Sequence, residues 1–162
     1  MIAHPIPPVF DARSRVLILG SFPSVKSREA GFFYGHPQNR FWRVLAALFD
    51  AQVPQTIDEK RAFLLQNRVA VWDVIASCEI HGSSDASIRN VQANDLRVIL
   101  DNAPIRAIFV NGQTAAKLYR KYIEPEIGRS AIPLPSTSPA NAAWSLERLA
   151  EKWKVVREEL RM

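Results

Sequence analysis

Residues 15–24 read Arg-Val-Leu-Ile-Leu-Gly-Ser-Phe-Pro-Ser, and this stretch decides the fold. The near-continuous apolar run over residues 15–19 is typical of a β-strand that is buried on both faces, as in a parallel sheet covered by helices. A Gly-Ser-Phe-Pro turn ends the strand, and Tyr34-Gly-His-Pro-Gln-Asn-Arg-Phe-Trp42 then leads into an amphipathic segment. We therefore expect a rigid sheet edge that presents backbone amides and side chains to a ligand.

Apolar runs alternate with segments of helical periodicity along the rest of the chain. Three more strands are predicted, over residues 69–75, 106–111 and 131–135. Helices are predicted over residues 40–49, 57–66, 94–102 and 114–122. In a last predicted helix, Ser138 is the expected N-cap and Pro139 the first helical residue. Residues 1–14 are rich in proline and are expected to be irregular.

This alternation predicts one domain over residues 1–162. Its expected class is α/β, a three-layer α/β/α sandwich with a central, mostly parallel four-stranded sheet. With 48% hydrophobic residues, the chain is long enough to bury a core without disulfides. Ligands of such sheets bind outside the carboxyl ends of the strands, so the site is expected in the loops that follow the four strands.

The composition argues against several classes of protein. No apolar run approaches the roughly 20 residues of a transmembrane helix, and the first residues lack the pattern of a signal peptide, so we expect a cytoplasmic protein without a membrane partner. Cys78 is the single cysteine and is expected to be a reduced core thiol. No metal-ligand cluster, phosphate-binding Gly-x-x-x-x-Gly-Lys loop or dinucleotide-binding Gly-x-Gly-x-x-Gly turn is present in the sequence, which argues against a nucleotide hydrolase.

The charge balance favours a polyanionic partner. Lysine and arginine total 21 against 16 acidic residues, a formal charge of +5. Four of these cations, Lys26, Arg28, Arg40 and Arg43, cluster around the opening stretch. A nucleic acid fits this pattern through phosphate contacts. A solvated surface is the alternative for any one of the four.

Four motifs together resemble a known family. They are Gly20-Ser-Phe-Pro-Ser24, His36-Pro-Gln-Asn-Arg-Phe-Trp42, Asn111-Gly112 and Leu134-Pro-Ser-Thr-Ser-Pro-Ala-Asn141. In order and spacing the chain resembles the uracil-DNA glycosylase superfamily, and within it most closely the hypoxanthine-DNA glycosylases. The His-Pro-x-Asn-Arg-Phe-Trp segment is shared with mismatch-specific, Mug-type enzymes.

The resemblance implies a monofunctional DNA glycosylase of base excision repair. Such enzymes flip a damaged base out of DNA and hydrolyse its N-glycosidic bond, without metal or cofactor. The implied partner is DNA that contains a deaminated base, with hypoxanthine as the first substrate and uracil or xanthine as the second. A monomer associated with the nucleoid is expected. A mismatch-specific uracil or thymine glycosylase and a non-catalytic DNA-binding module are the alternatives.

The resemblance also implies roles for residues in the base pocket. Phe22 holds the place where several families carry an aspartate or asparagine that handles the attacking water, so that role passes to Asn39, whose amide oxygen is expected to position the water. Backbone N–H groups of Ser21 and Phe22 are expected to stabilise the departing base. The remaining residues implied to bind the base are Gly20, Pro23, Tyr34 as a stacking aromatic, and Asn111 as a reader of the base edge.

The DNA backbone is expected to contact the last motif and nearby cations. These residues are Ser136, Thr137, Ser138, Pro139, Lys26 and Arg40, with the following helix N-terminus also suited to phosphate.

Structural alternatives remain for three pocket residues and for one acid. Asn39 is a possible helix cap, Tyr34 a packing residue and Asn111 a turn residue. Asp73 is interpreted as a structural acid or a pocket carboxylate, and His4 carries no signal.

Overall fold

A computed structural model describes residues 1–161 of the chain. In chain order its elements are β1 (Ile2–Ala3), β2 (Val16–Gly20), α1 (Val25–Ala30), α2 (Phe41–Leu48), α3 (Ile57–Gln66), β3 (Val69–Asp73), β4 (Ile75–Glu79), a 3₁₀ turn (Asp85–Ser87), β5 (Arg89–Ala93), α4 (Arg97–Leu100), β6 (Ala107–Asn111), α5 (Gln113–Tyr122), α6 (Glu124–Ile127), β7 (Ile132–Leu134) and α7 (Leu146–Leu160).

The four predicted strands form one parallel sheet in the order β3-β2-β6-β7. Every residue of β2 and β3 is buried, which explains their near-continuous apolar sequences. Helices α2, α3, α5 and α7 flank this sheet, with α7 packed on α2 and β2, and α5 on β6. The predicted α/β sandwich with a parallel four-stranded sheet is therefore confirmed.

A second, antiparallel sheet of three strands was absent from the sequence prediction. Its order is β1-β4-β5. The predicted strand 69–75 is divided, because its last residue, Ile75, begins β4 and pairs with Ala93 of β5. The leader is likewise not entirely irregular, since Ile2 pairs with Cys78. Two residues of β1 and the polar sequence of β5 carry too little periodicity for prediction.

The predicted start of the last helix is wrong. Helix α7 begins at Leu146, where the Ser145 side chain accepts a hydrogen bond from the Arg148 N–H. Ser138 caps only a local turn, by accepting from the Ala140 N–H at 3.1 Å. Arg40 donates to the carbonyl oxygens of Ser138, Asn141 and Trp144 in the intervening segment. The first two also accept from the N–H groups three residues further on, so the segment forms turns rather than the first turn of α7.

The described residues include no helix that is both long and apolar enough to cross a membrane.

Candidate active site

A cleft of about 520 Å³ lies at the carboxyl edge of the parallel sheet, within the range typical of ligand pockets. The last residues of β3 and β6 and the loops after β2, β4 and β7 contribute to it. Its position follows the rule that ligands bind at the carboxyl ends of parallel strands. The cleft brings together most residues that were predicted for the site: Gly20, Ser21, Phe22, Pro23, Tyr34, Asn39, Asn111, Ser136, Thr137, Ser138 and Pro139.

The turn after β2 is held rigidly and leaves two donors free. The carbonyl groups of Gly20 and Ser21 accept hydrogen bonds from the N–H groups of Val74 and Ile75, at 2.8 and 3.1 Å. Within residues 1–161, the N–H groups of Ser21 and Phe22 donate to no protein acceptor. Two adjacent backbone donors in a fixed turn are suited to a developing negative charge.

Asn39 is bound to the protein through its amide oxygen. Asn39 Oδ1 accepts from the Phe41 N–H and from Thr137 Oγ1, both at 2.9 Å. Because the Phe41 group is a donor, the oxygen must be the atom that faces it, which fixes the amide orientation. Both lone pairs of the oxygen are occupied. The expectation that this oxygen positions the water does not fit the geometry, and the Asn39 NH₂ group is the free part of the side chain.

Thr137 links two of the four motifs to Asn39. The Asn111 side chain accepts from the Thr137 N–H at 3.1 Å and donates to Thr137 Oγ1 at 3.0 Å. The hydroxyl in turn donates to Asn39, so the order Asn111, Thr137, Asn39 is a directed chain of hydrogen bonds. Thr137 is fully buried. Because the Thr137 hydroxyl already accepts one hydrogen bond and donates another within the protein, it does not fit the predicted phosphate contact. The structure gives Thr137 a positioning role instead.

Arg40 points inward rather than toward solvent. Its guanidinium donates to the carbonyl oxygens of Trp144, of Ser138 at 3.2 Å and of Asn141 at 3.0 Å. These contacts hold the loop before α7 against the start of α2. The predicted phosphate contact does not fit this arrangement either, whereas Lys26 is exposed beside Glu29 and lies outside the cleft lining.

The serines of the last motif keep their hydroxyl protons available. Ser136 Oγ accepts from the Ser138 N–H, and Ser138 Oγ accepts from the Ala140 N–H, each at 3.1 Å. Gly112 is required beside them, since it has φ 95° and an added Cβ would lie 3.1 Å from Ser136 Cβ. Ser136 and Ser138 therefore remain candidate phosphate ligands at the mouth of the cleft.

Tyr34 supplies one aromatic wall. Its ring stacks on Phe41 with centroids 3.9 Å apart, and its backbone lies in the left-handed region at φ 53°. The Tyr34 hydroxyl is buried and forms no hydrogen bond within the described residues. Burial raises the pKa of this hydroxyl well above its ordinary value, the Asp73 carboxylate acts in the same direction, and the nearby Asn111 amide has a smaller opposing effect. The hydroxyl therefore stays protonated.

Sequence reasoning missed a buried pair between His4 and Asp73. His4 Nε2 lies 2.7 Å from Asp73 Oδ2, and both side chains are almost fully buried. His4 Nδ1 accepts from the Ile6 N–H at 3.2 Å, which places the imidazole proton on Nε2. The position of Asp73 at a strand end gave a signal for the acid. Nothing in the sequence indicated that His4, 69 positions away, would reach it.

Among residues 1–161, no three His, Cys, Asp or Glu side chains come together in a group that could hold a metal ion.

Comparisons with known proteins connect this cleft to one family. The model of the uracil DNA glycosylase superfamily matches residues 7–159. A hypoxanthine DNA glycosylase of Methanosarcina acetivorans is 34% identical over 158 residues, which are 96% of this chain and 98% of the relative. A hypoxanthine DNA glycosylase of Methanosarcina barkeri is 31% identical over 113 residues, 68% of this chain and 72% of the relative.

A solved structure shares the fold. The solution NMR structure of a candidate uracil DNA glycosylase from Methanosarcina acetivorans superimposes with a TM-score of 0.84 and 32% identity, and the match covers 100% of both chains. The family match spans every cleft residue named above but does not reach His4.

Proposed function

This chain belongs to the uracil DNA glycosylase superfamily, and from that premise we propose that it removes deaminated bases from DNA, hypoxanthine first and uracil or xanthine second. It is a DNA glycosylase, so it cleaves the bond between base and sugar. The relatives at 34% and 31% identity, both named hypoxanthine DNA glycosylases, support the order of substrates.

One observation carries the proposal: two free backbone donors, an aromatic wall and the Asn39 amide converge in a single cleft. The sugar-base bond cannot be reached inside a stacked duplex, so the nucleotide must be flipped into such a cleft. Tyr34 and Phe22 offer apolar surface to the flipped base, which offsets part of the stacking it loses.

The chemistry we propose is dissociative hydrolysis. The bond between C1′ and the base nitrogen breaks with its electron pair on the base, which leaves a cationic sugar. The Ser21 and Phe22 N–H groups stabilise the base anion, since donors aimed at developing charge are effective in a site that excludes water. A water oxygen then bonds to C1′ and loses a proton, and the base anion takes up a proton.

Asn39 acts at the sugar side of this reaction. Its NH₂ group donates to the oxygen of the attacking water or to the sugar, while its own oxygen remains bound to Phe41 and Thr137. A neutral amide is not a strong base, so the site has modest power and suits a base that leaves readily from a weak pair.

The test is excision from duplexes that each carry one hypoxanthine, uracil or xanthine, followed by alkaline cleavage of abasic sites. We expect strand breaks at hypoxanthine first, slower breaks at uracil or xanthine and none at the undamaged bases. Absence of breaks with all three lesions would reject the proposal. A gel shift that survives in that case would instead support a DNA-binding module.

A further inference from the structure

Two polar atoms face the same point on the floor of the cleft. A Cβ added to Gly20 would lie 2.5 Å from Asp73 Oδ1 and 3.2 Å from Tyr34 Oη. Gly20 is itself fully enclosed, and Asp73 is only 4% exposed. Glycine at this position therefore leaves room for a carboxylate oxygen and a hydroxyl side by side, where any larger residue would displace the carboxylate.

Asp73 Oδ1 is a fixed and unused acceptor. Its companion oxygen Oδ2 is held by His4, and the His4 ring is fixed in turn by the Ile6 N–H. Within residues 1–161, no protein group donates to Oδ1. An ionised carboxylate can accept hydrogen bonds but cannot donate them.

Tyr34 Oη is a fixed and unused donor. It is buried and lacks a hydrogen-bond partner within the described residues, which is rare for a polar atom in a protein interior and calls for an explanation. Because burial raises the pKa of the hydroxyl, its proton is retained. The hydroxyl has almost no accessible surface, so it is Asp73 Oδ1 that the floor presents, as an acceptor, to whatever fills the cleft.

The flipped base reaches this floor with the edge that lies away from its sugar. The partly exposed groups Asn39, Ser136 and Ser138 line the same cleft nearer the surface. The DNA backbone is too large to enter, so the sugar stays at the mouth while the base extends inward.

Deamination inverts the hydrogen-bonding pattern of that edge. Adenine carries an NH₂ donor beside a bare ring nitrogen, whereas hypoxanthine carries a carbonyl oxygen beside a ring N–H. Uracil differs from cytosine in the same way. All deaminated bases therefore share a lactam, an adjacent C=O and N–H, for which the complementary groups are one donor and one acceptor.

We propose that Asp73 recognises this lactam, with Oδ1 accepting a hydrogen bond from the ring N–H. The inference rests on the proposed function and assigns discrimination against adenine and cytosine to Asp73 rather than to Asn111. Guanine and thymine carry the same lactam, so this contact does not reject them. His4 is a positioning residue that keeps Oδ1 turned toward the base. An undamaged adenine at the same place sets its ring lone pair against the carboxylate and is rejected.

The first test uses the unmodified enzyme and changes the base. Duplexes carry hypoxanthine or 1-methylhypoxanthine, which keeps the carbonyl oxygen and replaces the ring N–H by a methyl group. We expect kcat/KM to fall by about 1,000-fold or more on methylation, since sites built to bind a polar group reject analogues that leave it unpaired. Equal excision of the two bases would overturn the inference.

The second test uses Asp73→Asn to replace the hydrogen-bond acceptor on the floor of the cleft by a donor. His4 continues to donate to the side-chain oxygen, which turns the new NH₂ group toward the base. Hypoxanthine excision should then fall by about 100-fold relative to excision of unsubstituted purine, whose ring nitrogen is bare. Asp101→Asn removes the same charge from an exposed residue outside the cleft lining and should leave the hypoxanthine-to-purine ratio unchanged.

The first test uses the unmodified enzyme, so it stays decisive if Asp73→Asn does not fold. An equal loss of both substrates in Asp73→Asn would overturn the inference and assign that residue to the chemistry. The proposed function fails separately, and only if the parent enzyme excises no deaminated base.

Discussion

The amide of Asn39 has separate roles for its two polar atoms. The oxygen joins the start of α2 to Thr137, while the nitrogen faces the cleft without a protein partner among residues 1–161. The cap-like and the functional interpretations of Asn39 are therefore compatible, because each concerns a different atom. The two oxygens of Asp73 are divided in the same way. Oδ2 binds His4, and Oδ1 has no protein donor among residues 1–161.

Asn39→Ala should lose most turnover while it retains DNA affinity. Removing the amide takes away the group proposed to act at the sugar, and we expect kcat on hypoxanthine duplexes to fall by about 100-fold. Single-turnover rates and gel-shift affinities measure the two effects separately. Asn102→Ala, which removes an exposed amide bonded only to the Val98 carbonyl, is the control. Turnover equal to that of the parent would remove Asn39 from the mechanism.

Thr137→Val should destabilise the protein by about 1–3 kcal/mol, because it removes the buried hydroxyl that accepts from the Asn111 NH₂ group and donates to Asn39 Oδ1. The valine has nearly the same shape, so the loss reports the hydroxyl alone. Urea unfolding measures the free energy, and Thr114→Val on the partly exposed face of α5 is the matched control. Equal midpoints for the two variants would contradict a positioning role for Thr137.

Individual elements were predictable where the hydrophobic pattern is local. The runs that form β2 and β3 are buried from end to end, β6 is buried as far as Val110, and all three were recognised from sequence, as was α3. The start of α7 was not predictable, because the loop before it is held by Arg40, about 100 positions away, which donates to the carbonyl oxygens of Ser138 and Asn141. The Ser138-Pro139 pair has the local sequence of a helix start, but the helix begins at Leu146.

The two serines before α7 should therefore differ in their effect on stability. Ser145→Ala removes the observed cap and should cost about 1 kcal/mol in urea unfolding. Ser138→Ala should change stability by much less and instead weaken DNA binding, if its hydroxyl meets a phosphate. A larger loss of stability from Ser138→Ala than from Ser145→Ala would contradict the observed start of α7.

On the scale of the whole molecule, the site depends on contacts between distant parts of the chain. The leader brings His4 to Asp73, and the loop after β7 brings Thr137 to Asn39 and Asn111. The sheet edge was predictable because parallel strands end together. The partners of each side chain were not predictable, because hydrogen bonds across 26 to 98 positions produce no periodic pattern in the sequence.

The net charge of +5 should act on DNA through exposed cations rather than through every basic residue near the cleft. Each phosphate that a protein cation neutralises adds about 0.9 to the slope of log affinity against log salt concentration. Lys26→Gln should reduce that slope by about one, since Lys26 is exposed and only loosely paired with Glu29 at 3.9 Å. Arg40→Gln should leave the slope unchanged, because its guanidinium binds carbonyl groups within the protein.

Titrations of a hypoxanthine duplex at several salt concentrations measure both slopes, and Lys152→Gln on the exposed face of α7 is the control for charge alone. A reduced slope for Arg40→Gln would mean that this arginine leaves its carbonyl partners when DNA binds. If Lys26→Gln has the same slope as the parent, cations other than Lys26 make the phosphate contacts. The two slopes therefore distinguish an arginine that binds carbonyl groups within the protein, as expected for Arg40, from a lysine that contacts DNA phosphates, as expected for Lys26.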